Sequence, residues 1–165
     1  MPEFIDVMTI VDAKTIADKY PAGTAENPTM VSGGLIYMIT NAKNAMSGNT
    51  GNELRLSANT NDIIRWHMNT LSSNTDYDGI LYGFDASAGG ELISTPEADL
   101  VDVKVPLPND NDPLHPNSQQ IKDYYWQCTV KSPGDTTYHF RFMVTDKKGN
   151  VKGYYWWDPF IHIEA

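Results

Sequence analysis

One cysteine, Cys128, is all that this 165-residue chain contains. An intramolecular disulfide is therefore impossible and a cysteine-built zinc site is excluded, so packing alone must hold the fold. Basic residues are scarce as well: 12 Lys and Arg stand against 21 Asp and Glu, a formal net charge of −9. A polyanionic partner needs a basic stripe that displaces counterions, and none runs through the sequence, which argues against nucleic acid and against a membrane as partners. No apolar run approaches the ~20 residues of a membrane-crossing helix. The start, Met1-Pro2-Glu3-Phe4-Ile5-Asp6, has neither the basic head nor the apolar stretch of a secretion signal, so a cytoplasmic location is expected. Catalytic signatures are missing too: there is no Gly-x-Ser-x-Gly elbow, no P-loop and no dinucleotide fingerprint. The expectation is a protein that is not an enzyme and that carries no cofactor.

Large aromatics are what the sequence does have, and they crowd near its end. The stretch Gly153-Tyr154-Tyr155-Trp156-Trp157-Asp158-Pro159-Phe160 holds two of the four Trp. In an extended strand successive side chains point to opposite faces, which sets Tyr154 and Trp156 against Tyr155 and Trp157. With both faces aromatic, the strand is expected to be covered on both sides, once by an opposite sheet and once by a loop or a second subunit. Tyr154, Tyr155, Trp156 and Trp157 are thus the candidate contacts to a partner chain or to a carbohydrate. Pro159 cannot donate to a ladder, so the strand must lie at an edge there or break.

Strands are predicted at Phe4 to Val11, Leu35 to Thr40, Glu53 to Ala58, Ile63 to Asn69, Gly79 to Phe84, Leu100 to Val105 and Tyr124 to Val130. Tyr138 to Thr145 alternates cleanly between Tyr138, Phe140, Phe142 and Val144 on one face and His139, Arg141 and Met143 on the other. A turn at Ser132-Pro133-Gly134-Asp135 and a hairpin loop at Asp146 to Asn150, with Gly149 in the left-handed region, would join the last three strands into a meander. The single predicted helix follows Asp12, a good N-cap, and stops before Pro21. Many short strands with turns between them and one helix predict an antiparallel β-sandwich. With 41% hydrophobic residues and no repeat or boundary, residues 1–165 read as a single β-sandwich domain. Trp66 and Phe142, each mid-face on an apolar strand, are expected in its core, facing one another or side by side.

Ionisable clusters do not build a metal site. His67, His139 and His162 alternate with apolar neighbours and so point away from the core, and His115 lies in a polar loop. The turns Asp76-Tyr77-Asp78 and Asn109-Asp110-Asn111-Asp112 fit no EF-hand spacing and read as solvated. Cys128 shares a face with Trp126 and Val130, which makes it a buried small hydrophobe.

Taken in order, several landmarks resemble the AidA/PixA family of bacterial inclusion body proteins. They are Lys19-Tyr20-Pro21, Asn27-Pro28-Thr29, Asn61-Asp62-Ile63-Ile64-Arg65-Trp66, Leu71-Ser72-Ser73-Asn74 and the closing Gly153 to Pro159. The resemblance implies a small bacterial protein that accumulates in cytoplasmic inclusions and is associated with host interaction, and it brings no catalytic residue. Seven Met are only a modest enrichment and do not mark a methionine store. The expected function is a non-enzymatic protein that self-associates, as a homodimer or larger. The alternative is a carbohydrate-binding module that uses exposed aromatics of the last strand.

Overall fold

The computed structural model describes residues 1–72 and 76–164, with the backbone alone described at 160–162 and 164. In chain order the elements are β1 (Phe4–Val11), α1 (Ala13–Lys19), β2 (Thr29–Met30), β3 (Ile36–Thr40), β4 (Ala45–Ser47), β5 (Arg55–Ser57), β6 (Ile63–Thr70), β7 (Tyr77–Ala88), β8 (Glu97–Leu107), β9 (Asn117–Thr129), β10 (Gly134–Asp146), β11 (Val151–Trp157) and β12 (Phe160–Glu164).

Two packed sheets result. The first has the order β3-β1-β6-β9-β8. The second is built round β10, which pairs along one edge with β7 and along the other first with β12 and then with β11. Beyond β11 lies β2, and beyond β12 lie β5 and β4. The last strand is therefore one aromatic strand broken at Asp158-Pro159, as the missing proline donor requires.

The fold is all-β, as predicted, with one α-helix among the described residues, but the sheets are mixed rather than purely antiparallel. β1 runs parallel to β6, β2 to β11 and β5 to β12. The β1–β6 register is clamped at its start by Asp62, whose carboxylate accepts from the Glu3 amide at 2.8 Å and from the Asn59 amide at 2.8 Å.

Local signals translate directly. The Asp12 side chain accepts from the Thr15 amide at 3.1 Å and caps α1. The Asp146–Asn150 loop closes the β10–β11 hairpin with Gly149 at φ +80°. The predicted meander does not form, because β9 pairs with β6 and β8 in the first sheet while β10 and β11 belong to the second. Residues 130–133 carry the chain across from one sheet to the other. Of the predicted turn Asp76-Tyr77-Asp78, Tyr77 and Asp78 are instead the first residues of β7 and half-buried, because β10 pairs with them.

The inner faces of both sheets supply the core. Ile5, Val7, Ile64, Trp66 and Cys128 come from the first, and Leu81, Tyr138, Phe140, Phe142, Tyr155 and Trp157 from the second. Trp66 packs edge-on against Phe140 at 5.3 Å and against Tyr138 at 5.8 Å. Its ring partner across the sandwich is thus Phe140, while Phe142 packs tilted against Tyr155 and edge-on against Trp157. Burial raises the Cys128 thiol to about 12, so it stays protonated.

Candidate interaction surfaces

Strand alternation divides the four aromatic candidates of β11. Tyr155 and Trp157 are buried and pack on Phe140 and Phe142. They belong to the core and are withdrawn as partner contacts, since a side chain sealed between two sheets meets no second molecule. Tyr154 and Trp156 point the other way and are half-buried.

What half-covers them is the chain itself. β2 pairs with the outer edge of β11, and the Val31 amide donates to the Trp156 carbonyl at 2.9 Å. The loop before β2 lies over the same face: Tyr82 Oη donates to the Ala25 carbonyl and its ring meets Tyr154 at 5.5 Å. Gly23 is pressed so close that an added Cβ would fall 2.6 Å from the Tyr154 carbonyl oxygen. Beside Trp156 a cleft of about 210 Å³ remains, lined by Glu26, Pro28, Asp85, His139 and Arg141. His139 stacks on Trp156 at 4.7 Å and reaches within 3.1 Å of Asp158. Arg141 grips Asp85 through Nε at 2.7 Å and through Nη2.

A second surface had only a faint signal in the sequence. β9 pairs with β6 only over residues 126–129, yet it continues back to Asn117 against β8. Residues 99–107 and 117–125 thus leave the sheet as a two-stranded arm. Along its outer face run Val101, Val103, Val105 and Ile121, in line with the outer faces of β1 and β3. The arm curls over those strands and encloses a trough of about 580 Å³ whose apolar walls include Met8, Ile39, Val103 and Ile121. A further hollow of about 520 Å³ adjoins it through Met8, His67, Ile121 and Asp123.

The trough has a charged floor. Arg65 donates from Nε (2.7 Å) and Nη2 (2.8 Å) to the two Asp6 oxygens, and His67 Nε2 lies 3.3 Å from Asp6 Oδ1. Partial burial opposes the Asp6 carboxylate, but the bonds and charge of Arg65, then of His67, outweigh it and hold the carboxyl below its ordinary value. The same bond to Asp6 raises Arg65. On its other side His67 Nδ1 is 3.7 Å from Asp123 on the arm, and its ring packs on Tyr125 at 5.2 Å. The guanidinium of Arg65 covers Phe4 at 4.6 Å, a cation–π contact.

The remaining ionisable candidates stay apart. His115 pairs with Asp112 at 2.8 Å in the loop at the arm's tip, and the His162 side chain lies outside the described residues. Among the described residues no three His, Cys, Asp or Glu side chains converge in a metal-binding group. No helix among them is long and apolar enough to cross a membrane.

The profile of the PixA family, described as inclusion body protein, matches residues 3–163. The crystal structure of a PixA inclusion body protein from Burkholderia cenocepacia J2315 is similar in fold, with a TM-score of 0.78, over 99% of this chain and 96% of that one, at 16% identity. No curated protein matches the chain.

Proposed function

The chain belongs to the PixA family of inclusion body proteins, and from that membership and its uncovered arm we propose that it is a self-associating, non-enzymatic protein that accumulates in cytoplasmic inclusions. The arm is the observation that supports this reading. A two-stranded hairpin is at best marginally stable in water unless something packs on it. Here Leu107 is 42% exposed and Ile121 38%, on one face of strands that protrude from the sandwich. Monomeric proteins avoid contiguous apolar surface of this kind. The aromatic face of β11 supports association less, because the loop ahead of β2 already shields it. Host interaction, which the family resemblance implies, would follow release of the accumulated protein.

The net charge of −9 and the pI of about 4.7 oppose close packing at neutral pH and relax as pH falls. Sedimentation at micromolar concentration is expected to give a mass above the 18.4 kDa of one chain, rising from pH 7 towards pH 5. A monomer of 18.4 kDa at every concentration and pH would sink the reading.

The cleft beside Trp156 favours a second one. A half-exposed indole flanked by Glu26, Asp85, His139 and Arg141 offers a sugar both a stacking face and hydrogen-bonding groups. Glycan-array binding that disappears in Trp156→Ala, with the fold intact, would support carbohydrate recognition; an array silent with the unaltered chain would reject it.

A further inference from the structure

We propose that His67 is a proton-operated latch that draws the arm on to the first sheet as the pH falls. The latch acts within one chain and does not depend on self-association.

It sits where the arm departs. Trp66–Trp126 is the last pair that joins β6 to β9. One residue further on, His67 meets carboxylates from two different elements. Its Nε2 lies 3.3 Å from Asp6 Oδ1 on β1, and its Nδ1 lies 3.7 Å from Asp123 Oδ1 on the arm. The imidazole is only 17% exposed, with Tyr125 packed on it at 5.2 Å. Tyr124 and Trp126 are held separately, by the Leu81 carbonyl. Beyond Tyr124, the His67–Asp123 pair is the polar tie between arm and sheet among the described residues.

A neutral imidazole has one N–H and one bare lone pair. Between two carboxylates it can donate to only one of them. The shorter distance assigns the proton to Nε2, facing Asp6, so Asp123 stands opposite the bare Nδ1. Uptake of a second proton makes Nδ1 a donor as well, and the imidazolium then bridges both carboxylates. Repulsion between arm and sheet gives way to a charge-assisted hydrogen bond.

The surrounding charges leave room for this. Arg65, beside His67 on β6, repels an imidazolium, but its two donors are spent on Asp6. Asp78 of β7 lines the adjoining hollow and attracts one. Lys122 lines that hollow too, with its ammonium paired to Asp102 at 2.7 Å. Tyr125 meets the ring with its face and offers no charge at neutral or acid pH.

The latch controls the trough. Asp123 is paired with Val101, one step from the Val103–Ile121 pair. Drawing Asp123 inward therefore lowers Val103 and Ile121 towards Met8 and Ile39 and narrows the space between them. Release at higher pH opens it. Histidine protonation at a packed contact is an established way for pH to move one element against another.

The test measures that movement in the full-length chain. Ser118→Cys on the arm and Lys43→Cys beyond the end of β3 take spin labels, while Cys128 stays buried and protonated. Dilution with unlabelled chain removes distances between copies. The label-to-label distance is expected to be shorter and more narrowly distributed at pH 5 than at pH 8, a span that brackets ordinary imidazole titration. Asp123→Asn should abolish this difference, and so should His67→Gln. A distance that does not change with pH in the unaltered chain would overturn the latch. So would a full pH response retained in Asp123→Asn. Should His67→Gln disturb the fold through Asp6, Asp123→Asn decides alone, since Asp123 lies on the arm and outside the core.

Discussion

Trp66 is completely buried, with the rings of Phe140, Tyr138 and Phe84 round it. Truncating such a side chain typically costs ~3–5 kcal/mol, a large share of the ~5–15 kcal/mol that holds a domain together. Trp66→Ala should therefore lower the urea midpoint sharply, and an unchanged midpoint would show the ring to be dispensable. Alternation in Ile63–Met68 was enough to read Trp66 as core; its partner was not legible, because nothing local says which residue of a distant strand lies opposite. Asp6 gives a pH-dependent counterpart. Its folded carboxyl titrates below the usual ~3.9. The contribution of its bonds to Arg65 and His67 is thus complete above that ordinary value and is lost as pH falls through the lowered one. In Asp6→Asn the stability deficit should be full at pH 6 and shrink towards pH 2, as read from denaturation curves across that range. A deficit constant with pH would refute the assignment.

The arm is the element that the sequence disclosed least. Val101, Val103 and Val105 alternate and mark β8, but Asn117-Ser118-Gln119-Gln120 has no apolar period at all, so that half of β9 reads as loop. Those residues are extended because β8 supplies their hydrogen bonds, a cause that lies outside their own segment. The same distinction explains the meander that does not form: Pro133-Gly134 looks like a tight turn locally, while the choice of sheet rests with β6 and β7, far back in the chain. Since the arm adds nothing to the core, excising residues 101–122 and joining the strand stubs with a short turn should leave thermal stability within a few degrees of the full chain. Tyr124 and Trp126 must be kept, because both donate to the Leu81 carbonyl and tie β9 to β7. A collapse of the melting temperature on excision would show the arm to be structural.

At the scale of the whole molecule, composition and strand pattern were sufficient for an all-β fold with one helix, and the aromatic stretch was read as central. The sheet order was not legible, since strands near in sequence separate and distant ones pair: β2 with β11, β5 with β12, β7 with β10. These pairings have a consequence for how the protein is made. A ribosome delivers β2, β5 and β7 long before β10, β11 and β12, the strands that each of them needs. Through most of synthesis the early strands must wait with their edges open, and the second sheet can close only when β12 is free of the exit tunnel. Folding should be slow, as expected when pairing partners are far apart along the chain. A nascent chain stalled after Asp146 should lack native near-ultraviolet dichroism, and full-length chains released in quantity would meet one another with those edges still unpaired.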